Sequence, residues 1–188
     1  MKKPFILALS GSLREGSTNT ALLEAARLLA PPEVDFALWN EQASLVQFTP
    51  DLEASPPVLV QEFRSLIGRA DGLIIACPEY ARGVPGAFKN ALDWLVGDET
   101  FVCKKFALWN GSPRAHEAQK SLRLVLETMS GIYVEEAALA LPLMTQQVTP
   151  HSIATNTEWA SLIEVALAKF AVALGASPLR LSGADETT

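Results

Sequence analysis

Cysteine is nearly absent from this chain: Cys77 and Cys103 are the two in 188 residues, and they stand in no CxxC or metal-ligand spacing. That argues against a disulfide framework and points to a reducing compartment, so a cytoplasmic location is expected. Histidine is as scarce. His116 and His151 fall in no ligand spacing and pair with no nucleophile, and GxSxG is missing, so neither a metal centre nor a hydrolytic triad is expected. Excess positive charge is lacking too: a formal charge of −6 and a pI near 5.0 argue against a partner such as nucleic acid or an anionic membrane surface. A small anion stays possible, because a nest of backbone N–H groups works at any net charge. No apolar run approaches the roughly 20 residues that cross a bilayer. The opening MKKPFILALSGS has a basic start, but its apolar run, Phe5 to Leu9, is too short for a secretory h-region and reads as a buried strand.

What is present is ordinary globular composition, 49% hydrophobic and 19% charged, enough for one domain, expected over 1–176 with a disordered polar tail over 177–188. Short apolar runs at Phe5–Leu9, Val34–Trp39, Gly72–Cys77, Lys105–Trp109 and Ile132–Leu141 read as strands. Helical spacing fills Thr18–Ala30, Val58–Arg69, Pro85–Leu95, Arg114–Met129 and Glu158–Leu174. The stretch from Asn40 to Pro57 has little periodicity and reads as a long surface loop. Strands alternating with helices imply right-handed βαβ units. The expected fold class is α/β, a flavodoxin-like three-layer α/β/α sandwich on a five-stranded parallel sheet.

Two loops carry the chemistry. The first, GSLREGSTN after strand one, is close to the triphosphate P-loop pattern, but Ser17 stands where that pattern needs lysine; the dinucleotide fingerprint GxGxxG is absent as well. What remains is dense in hydroxyls and amides, Ser10, Ser12, Ser17, Thr18 and Asn19, with Arg14 as its cation. That set suits a monophosphate at a helix N-terminus, or simply a helix cap beside a solvated arginine. The second loop, PEYARGVPG after strand three, offers the ring of Tyr80 and backbone at Gly83 and Gly86 free enough to approach a ligand. In the flavodoxin-like order strands one and three flank the point where the strand order reverses, so both loops open onto one crevice.

Together, GSLREGSTN and PEYARGVPGAFKNALDW resemble the NADPH-dependent FMN reductase family, which includes quinone, chromate and azo-dye reductases, over roughly the first 130 residues. The resemblance implies FMN as cofactor, with Ser12, Arg14, Ser17 and Asn19 around its phosphate. It implies that Pro78, Glu79 and Tyr80, followed by Ala81 and Gly83, run beside the isoalloxazine, largely through backbone groups. Gly111 and Ser112, with Arg114, are assigned to its pyrimidine side. It also makes Lys89, Asp93 and Trp94 candidates for a homodimer or homotetramer interface; read alone, the first two are a surface i,i+4 pair and the tryptophan a core residue. Two departures stand out. Many members carry Asn after the tyrosine and Ser two residues on, where this chain has Ala81 and Gly83, and the usual glycine-rich third loop here reads NGSPRAHEA.

The implied reaction needs no catalytic side chain, because the flavin N5 carries the chemistry. NAD(P)H would deliver hydride in a ping-pong cycle and a quinone, free flavin, azo or metal-oxyanion acceptor would take the electrons, with backbone N–H groups near the pyrimidine ring stabilising the reduced flavin. Arg82 is the candidate for the 2′-phosphate of NADPH, against an equal case for a solvated arginine. Two other classes share the crevice: a flavodoxin-like electron carrier, and a non-catalytic module that binds FMN or another phosphorylated ligand.

Overall fold

Residues Phe5–Ser10 form β1, and every position after Phe5 is buried, because helices cover both faces of the strand. The computed structural model describes residues 3–112, 116–143 and 147–177. After β1 come α1 (Thr18–Leu29), β2 (Asp35–Trp39), α2 (Val58–Arg69), β3 (Gly72–Ala76), α3 (Gly86–Val96) and β4 (Lys105–Asn110). Then follow α4 (His116–Thr128), β5 (Ile132–Tyr133), β6 (Leu139–Ala140), α5 (Pro150–Thr155) and α6 (Thr157–Ala173). The strands lie parallel in the order β2-β1-β3-β4-β5, with β6 also against β4. One face is covered by α1, α5 and α6 through Leu22, Ile153, Leu167 and Phe170; the other by α2, α3 and α4 through Phe63, Phe88, Trp94 and Leu122. This is the flavodoxin-like fold. Its order reverses between β1 and β3, which leaves a crevice over their carboxyl ends.

Three expectations need correction. Ile132–Leu141 is not one strand: β5 and β6 are separated by a helical turn at Glu135–Ala137. The buried indole of Trp109 donates to the Ala137 carbonyl at 2.8 Å, which holds the edge chain in a detour, and the six residue steps from Tyr133 to Leu139 run beside the three from Phe106 to Trp109. Next, α5 was not expected at all. Its signal is local, since Thr149 and Ser152 form a reciprocal capping box and Pro150 takes the first turn.

Finally, the stretch 40–57 is not a free surface loop. It contains helical turns at Gln42–Ser44 and Pro50–Leu52, and it is strapped to the body of the protein. Gln42 Nε2 donates to Ser12 O, while Val46 O accepts from Asn90 Nδ2 at 3.0 Å and from Trp94 Nε1 at 2.9 Å. The Phe48 N–H closes the strap by donating to Asn90 Oδ1 at 2.7 Å. The start of the expected fourth helix, at Arg114, and the tail from 178 onward lie outside the described residues.

Candidate active site

The first loop is drawn tight against the sheet by a glycine. Gly11 N–H donates to Ala76 O at 2.8 Å, and a Cβ at Gly11 would lie 2.6 Å from Cys77 Sγ and 3.0 Å from its Cα, so only glycine lets the two loops start this close. Ser10 is fully buried and does not reach the cleft wall; its Oγ pairs with Thr20 Oγ1 at 2.7 Å and accepts the Ser12 N–H. It braces the start of the loop against α1. Ser12 Oγ accepts the Arg14 N–H, Arg14 Nη2 returns a bond to Gly16 O, and Gly16 makes the turn at φ +65°.

Ser17 is the N-cap of α1, accepting the Thr20 N–H. The N–H groups of Thr18 and Asn19 fall in the first turn, where helix geometry supplies no acceptor. Ser12 and Ser17 each spend an acceptor site on the backbone and keep an O–H to donate.

The second loop turns back sharply after Tyr80. Tyr80 and Gly83 exchange both N–H···O bonds, at 3.1 and 2.9 Å, and Ala81 and Arg82 between them sit at φ +50° and +61°. Left-handed backbone there favours Asn and Gly, so the departure at Ala81 is a strained one. Gly83 and Gly86 are not pressed by any protein neighbour, whereas Gly11 and Gly111 are closely approached by side chains or backbone of the neighbouring loops. Ala81, Arg82 and Gly83 form the rim beyond the cleft wall, with Arg82 exposed. Glu79 does more than run past: its Oε2 accepts the Glu117 and Ala118 N–H groups at 2.9 and 3.0 Å, capping α4.

The third loop closes the site. Asn19 is buried and its Oδ1 accepts the Gly111 N–H at 2.9 Å; a Cβ at Gly111 would meet Thr18 Cγ2 at 3.1 Å. Asn110 Oδ1 accepts the Ser112 N–H at 2.8 Å. The two backbone N–H groups expected on the pyrimidine side are therefore already engaged, which leaves the amide of Asn110 as a wall group that sequence reasoning missed. Arg114 lies outside the described residues.

The result is one cleft of about 300 Å³. Ser12, Arg14, Ser17, Thr18 and Asn19 wall one side of it; Pro78, Glu79 and Tyr80 with Asn110, Gly111 and Ser112 form the rest. Two uncapped N–H groups, two hydroxyls and a guanidinium suit a dianionic monophosphate, so the residues present fit the phosphate of FMN. Burial pushes the Cys77 thiol up to about 12, so it stays protonated at ordinary pH and is a packing group rather than a redox one. On α3, Lys89 and Asp93 form a partly exposed ion pair, whereas Trp94 is fully buried inside the protomer and offers no surface to a partner.

A sequence profile of the NADPH-dependent FMN reductase family matches residues 4–146. The chain belongs to that family. Among similar proteins of the FMN reductase kind, it is 39% identical over 89 residues to a 2-hydroxy-1,4-benzoquinone reductase of Burkholderia sp, covering 47% of this chain and 48% of that one. It is 40% identical over 90 residues to an NAD(P)H-dependent FMN reductase of Pseudomonas aeruginosa, covering 47% of this chain and 48% of the relative. The chain spans about half the length of these curated relatives. Solved structures align along almost all of it. FerB, a flavoenzyme NAD(P)H:(acceptor) oxidoreductase from Paracoccus denitrificans, superposes with a TM-score of 0.76 at 24% identity, over 92% of this chain and 97% of that one, and so shares the fold. An NADH:FMN oxidoreductase in its apo form gives a TM-score of 0.66 at 25% identity, over 93% and 92%.

Proposed function

We propose that this FMN reductase family member is an NAD(P)H-dependent flavoenzyme that passes electrons from reduced nicotinamide to a small-molecule acceptor such as a quinone, free flavin, azo compound or metal oxyanion. The observation that carries the reading is the phosphate cradle at the β1/β3 switch point, placed in one cleft with the Pro78–Tyr80 backbone. When bound, FMN supplies hydride acceptance and onward electron transfer. The chain's part is to bind and orient: Arg14 and the first turn of α1 hold the phosphate, while Pro78, Glu79, Tyr80 and Asn110 bound the space left for the ring. A ping-pong order, in which the nicotinamide leaves before the acceptor enters, is part of the proposal. A cytoplasmic setting fits the cysteine usage, and the exposed Lys89–Asp93 side of α3 is the surface we assign to a homodimer or homotetramer.

The test is an anaerobic titration of FMN-loaded protein with NADPH and, separately, NADH, followed by visible flavin absorbance. Bleaching at stoichiometric nucleotide is the expected result; bound flavin that resists both would make the protein an electron carrier, and no bound flavin would overturn the reading.

Two substitutions probe the anion contacts. Arg14→Ala is expected to weaken FMN by about 1.5–3 kcal/mol, the worth of a hydrogen bond to a charged group, as read by quenching of flavin fluorescence. Retention of wild-type affinity would return the residue to a solvated surface role. Arg82→Ala should narrow any preference for NADPH over NADH in steady-state kcat/KM, through the loss of a guanidinium at the rim. An unchanged ratio would sink that assignment.

A further inference from the structure

The loop that would cradle the phosphate stands between two open spaces. The cleft lies on one side; on the other is a cavity of about 450 Å³ walled by Leu13, Glu15, Gly16, Asn40 and Ala43 among others. A segment with little packing on either side takes its shape from its hydrogen bonds. Most of these arise within β1, α1 and the loop itself. Among the described residues two bonds link residues 11–17 to the rest of the chain: the Gly11 N–H to Ala76 O, and Gln42 Nε2, which donates to Ser12 O at 3.1 Å.

Gln42 is an unexpected side chain for its position. It is 1% exposed, and its Oε1 has no hydrogen-bond partner among the described residues. A buried acceptor with nothing to accept is destabilising, and a methionine of similar size would avoid that cost. The other half of the amide explains its presence. Gln42 lies between Asn40 and Ala43, which wall the second cavity and not the cleft, so its donor pins the Ser12 carbonyl from a segment outside the cleft wall. Across a planar trans peptide the N–H points opposite to the C=O, so the same bond also fixes the direction of the Leu13 N–H in the loop between Ser12 and Arg14.

We propose that Gln42 is a positioning residue for the phosphate cradle, and that through the Ser12 carbonyl it sets the preference of the site for a phosphorylated flavin over riboflavin. The inference rests on the FMN reading above and deepens it. Nothing in this role requires Gln42 to touch the cofactor.

The experiment measures FMN and riboflavin affinity by fluorescence quenching for the wild type, Gln42→Met and Gln42→Glu, with thermal unfolding as the check on folding. Gln42→Met should melt near the wild-type temperature, because the orphaned Oε1 is gone while the Ser12 carbonyl loses its donor. Its FMN affinity should fall roughly tenfold, the reach of one positioning hydrogen bond, while riboflavin affinity holds. Gln42→Glu keeps the size, loses the amide donor and adds a like charge near the anion, so the ratio of the two affinities should fall further. A folded variant that keeps the wild-type ratio, or loses both flavins equally, overturns the proposal and leaves Gln42 as packing. Failure of both variants to fold overturns it too. A wild type that binds neither flavin, or both alike, tells a different story: there the FMN reading itself has failed.

Discussion

Trp94→Ala is expected to cost the folded state about 3–5 kcal/mol, the usual range for truncating a fully buried aromatic, measured by urea or thermal unfolding. The indole is completely enclosed, sits edge-on to Phe48 at 5.1 Å and 88°, and donates to Val46 O. Arg64 adds to the cluster: its guanidinium lies 5.8 Å from the indole centroid, its Nε donates to Trp94 O at 2.8 Å, and it pairs with Asp98 at 3.1 Å. Removing the ring opens a void beneath the strap at Val46–Phe48. The loss should be the same at every protein concentration, since the cavity is inside one protomer, whereas an interface residue would give a concentration-dependent transition. A stable Trp94→Ala protein that dissociates into monomers would contradict this and restore the interface assignment.

Asn19 should show two effects that a pair of variants pulls apart. In Asn19→Ala the Gly111 N–H loses its acceptor in a buried setting, so about 1–3 kcal/mol of stability goes, and the third loop comes away from α1. Asn19→Asp retains an acceptor at that atom and is expected to fold at near wild-type stability. It also places a carboxylate in the cleft wall where we propose that the phosphate binds. Like charges a few ångströms apart at an effective dielectric near 20 weaken binding on the order of a hundredfold, so FMN affinity should collapse while the melting temperature holds. Equal FMN binding by Asn19→Asp and wild type would show that the anion lies elsewhere.

Much of the architecture was legible because strands buried on both faces spell continuous apolar runs, as at Phe5–Leu9 and Gly72–Cys77, and because Pro31 and Pro32 punctuate clearly. The two cleft loops were legible for local reasons as well: hydroxyls ahead of α1 declare a cap, and Gly83, Pro85 and Gly86 punctuate the chain ahead of α3. What stayed hidden depends on partners distant in sequence. Glu79 caps a helix that starts nearly forty residues later, Gln42 meets Ser12 across thirty positions, and Val46 is held by a helix more than forty residues on. No periodicity encodes such bonds. Trp109 interrupting the edge strand through Ala137 is of the same kind. Ser10 is of this kind too: Ser12 lines the cleft, whereas the Ser10 hydroxyl is buried against Thr20, ten positions on in α1.

The rim turn at Ala81–Arg82 holds two consecutive side-chain-bearing residues in left-handed backbone, each disfavoured by about 1–2 kcal/mol. That is resilience forgone at the mouth of the cleft, where an Asn-Gly pair would have been restful. For a protein engineer the turn is thus the obvious place to raise the melting temperature without touching the core. It is equally the place where such a gain trades against selectivity, because the cheaper turn would dispense with Arg82, the one exposed cation between Tyr80 and Pro85.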